Sequence, residues 1–239
     1  MVNVSMSVVA TLPPLLFVTF RTLYGISYSL LGTLILINFC TQLLVDLIFS
    51  FYSQRFDISK TVRLTPILTV AGLLIYALFP ILFPQAVYLG LVAGTIVFAA
   101  SGGLAEVLIS PVIAAIPSDR PESEMSKLHS VYAWGVVGVV FLSTGFLRLF
   151  GRENWKWLIL IWAVVPLIAS ILFQKAKIPT LNTPAETSNV WKLATGKRFL
   201  VCFFCIFLGG ASECTMSQWS SSFLEQALGI PKVWGDILG

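Results

Sequence analysis

Polar residues in this chain come in short clusters, and between them run long apolar blocks. The blocks show neither the narrow apolar stripe of a surface helix nor the alternation of a half-buried strand. Crossing the hydrocarbon core of a bilayer takes about 20 apolar residues as a helix. On that measure the pattern predicts seven membrane-spanning helices, over about 4–20, 29–52, 63–83, 87–115, 126–148, 156–174 and 199–224. A membrane β-barrel would show alternating segments of about 10 residues, and none occurs. In the first block Pro13 and Pro14 stand together. They predict a kinked or shortened span whose freed backbone groups are satisfied by neighbouring helices.

The clusters between the blocks set the organisation. Arg21–Tyr28 is short, Gln54–Arg63 is basic, Pro84–Gln85 is a bare turn, Pro117–Lys127 is polar and charged, and Phe150–Trp157 is short. Lys175–Arg198 is rich in Pro, Thr and Asn and reads as the one true linker; Leu228–Gly239 reads as a loop leading toward a further span. Lys and Arg favour the cytoplasmic side of a membrane. If the second, fourth and sixth connections are cytoplasmic, they hold Arg55, Lys60, Arg63, Arg120, Lys127, Lys175, Lys177, Lys192, Lys197 and Arg198. The other side holds Arg21, Arg148, Arg152, Lys156 and Lys232. This bias places the N-terminus in the cytoplasm. Six spans, a cytoplasmic linker and a seventh span match the arrangement of transporters built from two six-span halves.

Composition agrees. The chain is 57% hydrophobic and 11% charged, with mean hydropathy +0.89, where a soluble domain carries about 25% charged residues. The net charge of +4 is spread over the connections and reports topology, so no nucleic-acid partner is expected. The first twenty residues lack the basic start of a signal peptide. Cys40, Cys202, Cys205 and Cys214 lie in apolar runs and read as packing residues, Cys202-x-x-Cys205 included. One histidine and four such cysteines give no metal-ligand spacing. No phosphate-binding loop, dinucleotide fingerprint or nucleophile elbow is present. The chain therefore reads as a non-enzyme that needs no cofactor.

Candidate chemistry sits in the exceptions to the apolar pattern. Glu106 is the sole charge between Val87 and Ile116, and a carboxylate at that depth costs at least about 2.5–3.5 kcal/mol to insert. It reads as a buried proton site, with a structural pairing as the alternative. Gly102 and Gly103 beside it suit close helix packing. Ser110 precedes Pro111, which frees the carbonyl of Val107 for a packing kink or a substrate contact. Asn38, Gln42 and Asp46 recur every four residues and share one helix face. Asn38 and Gln42 suit either cavity lining or interhelical bonding. Asp46 suits a hydrogen bond, an ion pair or a gate. Glu213, Gln218 and Trp219 lie in a seventh span so polar that it calls for a wet cavity. Trp134 and Trp219 offer stacking surfaces for a sugar ring, or simple packing. His129, the lone histidine, suits a proton relay, a cavity position or a structural hydrogen bond.

Leu104–Val140, LAEVLISPVIAAIPSDRPESEMSKLHSVYAWGVVGV, resembles the fourth-to-fifth span region of the fucose permease branch of the major facilitator superfamily. The matching positions are Glu106, Ser110-Pro111, Leu128, His129 and Tyr132. Pro14–Phe20 and Asn38–Asp46 resemble the first and second spans of bacterial members, and Gly209–Gln226 their seventh. The resemblance implies an all-α polytopic membrane protein: an N-terminal six-span bundle (1–174), a central linker (175–198) and the first span of a second half (199–239). It implies a proton-coupled transporter of a sugar or similar small polar solute, located in the cell membrane, with Glu106 as the coupling residue; a non-transporting sensor or scaffold on the same fold, or an efflux-type major facilitator, is the alternative. The family has twelve spans, so a further C-terminal half is expected in the full-length protein. Two departures stand out. Ser53–Lys60 carries Gln54 and Asp57 where the superfamily loop has Asp and Gly, and Ser110 replaces the common Asn.

Overall fold

A computed structural model of the chain describes residues 1–176, 178–179 and 195–238, and all described secondary structure is helical. Two compact units result, Met1–Leu181 and Asn182–Gly239. The expected linker over 175–198 falls mostly outside the described residues.

In the first unit the double proline acts as expected. Helix α1 (Val2–Leu15) and helix α2 (Phe17–Tyr24) are bent by 44° at Leu16. Gly25 ends α2 with φ +65°, a left-handed conformation that glycine adopts without strain. Four long helices follow: α3 (Tyr28–Tyr52), α4 (Ile58–Leu82), α5 (Val87–Ala114) and α6 (Pro121–Phe150), and then α7 (Trp155–Lys175). In the second unit come α8 (Lys197–Ala227) and the short α9 (Lys232–Leu238). Among the described residues six helices are long and apolar enough to cross a membrane, and α1 with α2 makes a seventh, broken span. The chain is a multi-pass helical membrane protein.

Three helix ends depart from the sequence reading. Helix α4 starts at Ile58, inside the expected loop, because the Asp57 carboxylate accepts the backbone N–H of Lys60 at 3.1 Å and caps it. Helix α6 starts at Pro121, where the expected loop runs to Lys127. Proline suits the first helical position, and Glu122 and Glu124 favour the positive end of the helix dipole. The tail expected to be a loop holds α9. The backbone turns at Gly229 (φ +65°), and Lys232 meets Asp236 one turn on at 2.9 Å.

Helix α4 holds the first unit together, packing against α5 and α7; α3 packs on α5, and α1 on α6. Contact between α4 and α5 is close enough that a Cβ at Gly72 would stand 2.6 Å from the backbone nitrogen of Phe98. Pro66 removes the N–H that would bond Val62 O, and the Thr65 hydroxyl donates to that carbonyl instead, at 2.8 Å. Ser101 Oγ then donates to Thr65 O at 2.6 Å and shares a 2.7 Å bond with Thr69 Oγ1, a buried polar link between the two helices. Across the α1–α6 contact, Asn3 Nδ2 and Ser7 Oγ donate to Leu128 O and Tyr132 O at 2.7 and 2.8 Å. Within α8 and α9, Gly235 lets the short helix lie against Ser221, whose hydroxyl bonds the buried carboxylate of Asp236. All four cysteines are free thiols. Cys40, Cys202 and Cys205 are exposed on their helices, and Cys214 is half-buried.

Candidate functional site

The α3–α5 seam joins two helices that each contain a single charged residue, Asp46 on α3 and Glu106 on α5. On α3 the four-residue spacing does bring Asn38, Gln42 and Asp46 onto one face, and all three are half-buried. Opposite them α5 offers Gly102 and Gly103, both buried, then Glu106 one turn further on and Ser110 a turn beyond that. Side chains at spacings of three and four residues share a helix face.

The glycines set the distance between the helices. A Cβ at Gly103 would lie 3.0 Å from Gln42 O, 3.2 Å from Gln42 Cα and 3.1 Å from Asp46 Oδ1. One at Gly102 would lie 3.0 Å from Gln42 Nε2. Helices this close need bare backbone at the contact, the small-residue packing that the sequence predicts. Asp46 thereby comes to rest on α5 with Oδ1 buried, and among the described residues that oxygen accepts no hydrogen bond. A buried polar atom is ordinarily paired, so this oxygen is the outstanding exception in the seam. The hydrogen bond or ion pair open to Asp46 in the sequence is not made by any described residue. Glu106 is near enough for its charge to act on Asp46.

Glu106 itself corrects the sequence reading. It is exposed at the edge of the seam and not buried in the bundle. Asp46 is half-buried, with its Oδ1 out of reach of solvent. Pro111 is exposed on the same helix and Ser110 is half-buried. His129 and Trp134 are exposed on α6, with Trp134 keeping 75% of its surface. They flank the Leu128 and Tyr132 carbonyls that hold α1, and they make no described contact with the seam. Glu213 is exposed on α8, with Gln218 and Trp219 half-buried, and these three belong to the second unit. Among the described residues no three His, Cys, Asp or Glu side chains converge as a metal site would require.

Sequence reasoning found both carboxylates but not their pairing. The available signal was depth: Asp46 lies six residues from the end of α3 and Glu106 eight from the end of α5. What the arrangement can do follows from its charges. Two acids lie on facing helices with no basic residue anywhere in either helix. Neither helix supplies a counter-charge, so a proton or another cation from solution is the partner open to these acids. No curated protein and no solved structure matches the chain. The family model of the Major Facilitator Superfamily matches residues 1–238, which is nearly all of the sequence, and this helical, multi-pass chain belongs to that superfamily of membrane transporters.

Proposed function

We propose that this chain is a proton-coupled secondary transporter of a sugar or similar small polar solute, of the fucose permease-like branch, in the cell membrane with its N-terminus in the cytoplasm. Glu106 carries the coupled proton, and Asp46 is the carboxylate that shares the seam with it. The observation that carries this reading is the seam itself. It has two interacting carboxylates, one of them with a buried and unpaired oxygen, on helices without a single cation. Proton binding reduces the negative charge of the pair, for which neither helix supplies a counter-charge. Asn38, Gln42 and Ser110 border the pair with amide and hydroxyl groups suited to a polyhydroxy solute. His129 and Trp134 on α6 are further cavity residues of the first unit; in the second unit, Glu213, Gln218 and Trp219 on α8 are solute-contact residues of the alternating-access cycle. Pro111 serves the shape of α5 beyond the site.

The deciding experiment uses the full-length protein in proteoliposomes. An imposed inward proton gradient is combined with a set of radiolabelled neutral hexoses, pentoses and polyols, and internal pH is followed with an entrapped dye. Expected is solute accumulation accompanied by internal acidification, both abolished by Glu106→Gln, with solute exchange partly retained. Accumulation that persists in Glu106→Gln would remove the proton role from this residue.

A further inference from the structure

We infer that Gly103 is a positioning residue: having no side chain, it seats the Asp46 carboxylate on bare α5 backbone and so fixes its spacing from Glu106, one helical turn away. The inference rests on the proton-coupling role proposed above for that pair.

Three observations carry it. First, a Cβ at Gly103 would meet backbone atoms of α3, Gln42 O at 3.0 Å and Gln42 Cα at 3.2 Å. Backbone cannot rotate away as a side chain can, so any larger residue displaces this stretch of α3, and Asp46 moves with it. Second, the same Cβ would stand 3.1 Å from Asp46 Oδ1, the oxygen that is buried without a hydrogen-bond partner among the described residues. Third, Gly102 lies one position away but faces the end of a flexible side chain, Gln42 Nε2 at 3.0 Å, with the next Gln42 atom at 3.7 Å. The two neighbouring glycines therefore differ in kind. Gly103 limits the approach of the helix, whereas Gly102 touches only an amide that can swing aside.

Other charges near the seam do not compete for this role. The elements packed on α3 are α5 and the turn at Ser53–Arg55. They bring Glu106 and Arg55, and the Arg55 guanidinium lies over the Tyr52 ring at 5.3 Å. Against α5 lie α1, α3, α4 and α6. Helix α1 has no charged side chain, and the Met1 ammonium stands at its start, next to Val2, which packs with Ala105, Leu108 and Ile109 of α5; α4 carries Lys60 and Arg63 near its start, bonded to Asp57 and to the end of α7; α6 carries Glu122, Glu124, Lys127, His129 and Arg148, with Lys127 paired to Glu124 at 2.7 Å.

The test is modification of Asp46 and Glu106 by the apolar reagent dicyclohexylcarbodiimide, which attacks protonated carboxyl groups, scored by mass spectrometry across pH on the purified full-length protein. In the unmodified protein, labelling of at least one of the pair varies with pH. Gly103→Ala requires α3 to give by a few tenths of an ångström. That change in the spacing of the two carboxyls moves the labelling midpoint away from its position in the unmodified protein. Gly102→Ala leaves the midpoint in place, because the Gln42 amide that its Cβ would meet can swing aside. A Gly103→Ala protein that folds and labels with an unmoved midpoint overturns the inference while leaving the transport reading intact. So does a Gly102→Ala midpoint that moves, and this second variant decides the matter even if Gly103→Ala does not fold. Labelling of neither carboxyl at any pH in the unmodified protein overturns the proton-coupling role and this inference with it.

Discussion

The indole nitrogen of Trp155 donates to the hydroxyl of Tyr24 across 3.1 Å, tying the first residue of α7 to the last of α2. Around this bond the fully buried Trp155 ring meets Phe20 edge-on at 4.9 Å and Tyr76 at 6.3 Å. Three helices thus converge on one aromatic cluster at the end of the unit away from the carboxylate pair. Trp155→Phe keeps most of the ring contact and loses the hydrogen bond, and should cost about 1 kcal/mol. Trp155→Ala opens a cavity and should cost about 3–5 kcal/mol. Thermal unfolding of the detergent-solubilised protein measures both, and equal losses would mean that the hydrogen bond dominates over packing.

At the opposite end, Arg63 near the start of α4 donates to Gln174 O at 3.3 Å and to Ala176 O at 3.1 Å. Those carbonyls belong to the last turn of α7 and the residue after it, where helical partners run out. A fixed guanidinium fork can satisfy two carbonyls at once, whereas a lysine is a point charge. Arg63→Ala should raise amide exchange over the last turn of α7 roughly tenfold, the equivalent of about 1.4 kcal/mol, which is within the range for hydrogen bonds from charged donors. Arg63→Lys should fall between. Unchanged exchange in Arg63→Ala would show that the clamp is incidental.

The cap of α4 gives a pH dependence. The backbone N–H of Lys60 is the main reason that the Asp57 carboxyl sits below the usual carboxylate range; slight burial acts the other way, and the Lys60 ammonium at 3.3 Å adds to the lowering. A group lowered in the folded state stabilises it above its unfolded value, about 4 for Asp, and loses that contribution as pH falls through the folded value. Exchange protection in the first turn of α4 should therefore fall on acidification below about pH 4 and stay flat above it. Asp57→Asn still caps but cannot titrate, so its profile should be flat throughout. A fall of the same size in Asp57→Asn would assign the effect to another group.

The spans are legible in the sequence because a bilayer leaves little choice: a run such as Val87–Ile116, with one charge, has few soluble uses. The broken first span is legible for the same reason, since Pro13 and Pro14 cannot continue a helix unchanged. Helix ends are harder to read. The polar stretch after Pro117 looks like a loop by composition, yet Pro121, Glu122 and Glu124 are good first-turn residues and the helix begins there. Lys232 and Asp236 similarly turn an apparent loop into α9. At the site, the i, i+4, i+8 spacing of Asn38, Gln42 and Asp46 reveals a shared face, but not which helix it meets. That depends on the glycines of α5, whose role is a distance between helices. Exposure of Glu106 and burial of Asp46 Oδ1 follow from the same packing, and no single span's sequence contains it.

The closest test of the pair is a double-mutant cycle on Asp46 and Glu106. If the two carboxylates act separately, the losses of Asp46→Asn and Glu106→Gln in proton-driven uptake should add as free energies. Groups that work as one unit behave otherwise, because removing either already disables the shared step. The charge of Glu106 acts on Asp46, and Asp46 Oδ1 has no donor among the described residues, so nothing described in the seam replaces a missing partner. Each single substitution should thus lower proton-driven uptake by about the same factor as both together, a coupling of at least about 1 kcal/mol. Solute exchange without a gradient should be reduced far less, since Asn and Gln preserve shape and polarity. Reconstituted full-length protein, with the four variants compared at equal density in the membrane, supplies the measurement. Strict additivity would separate the residues and leave Glu106 to couple the proton without Asp46.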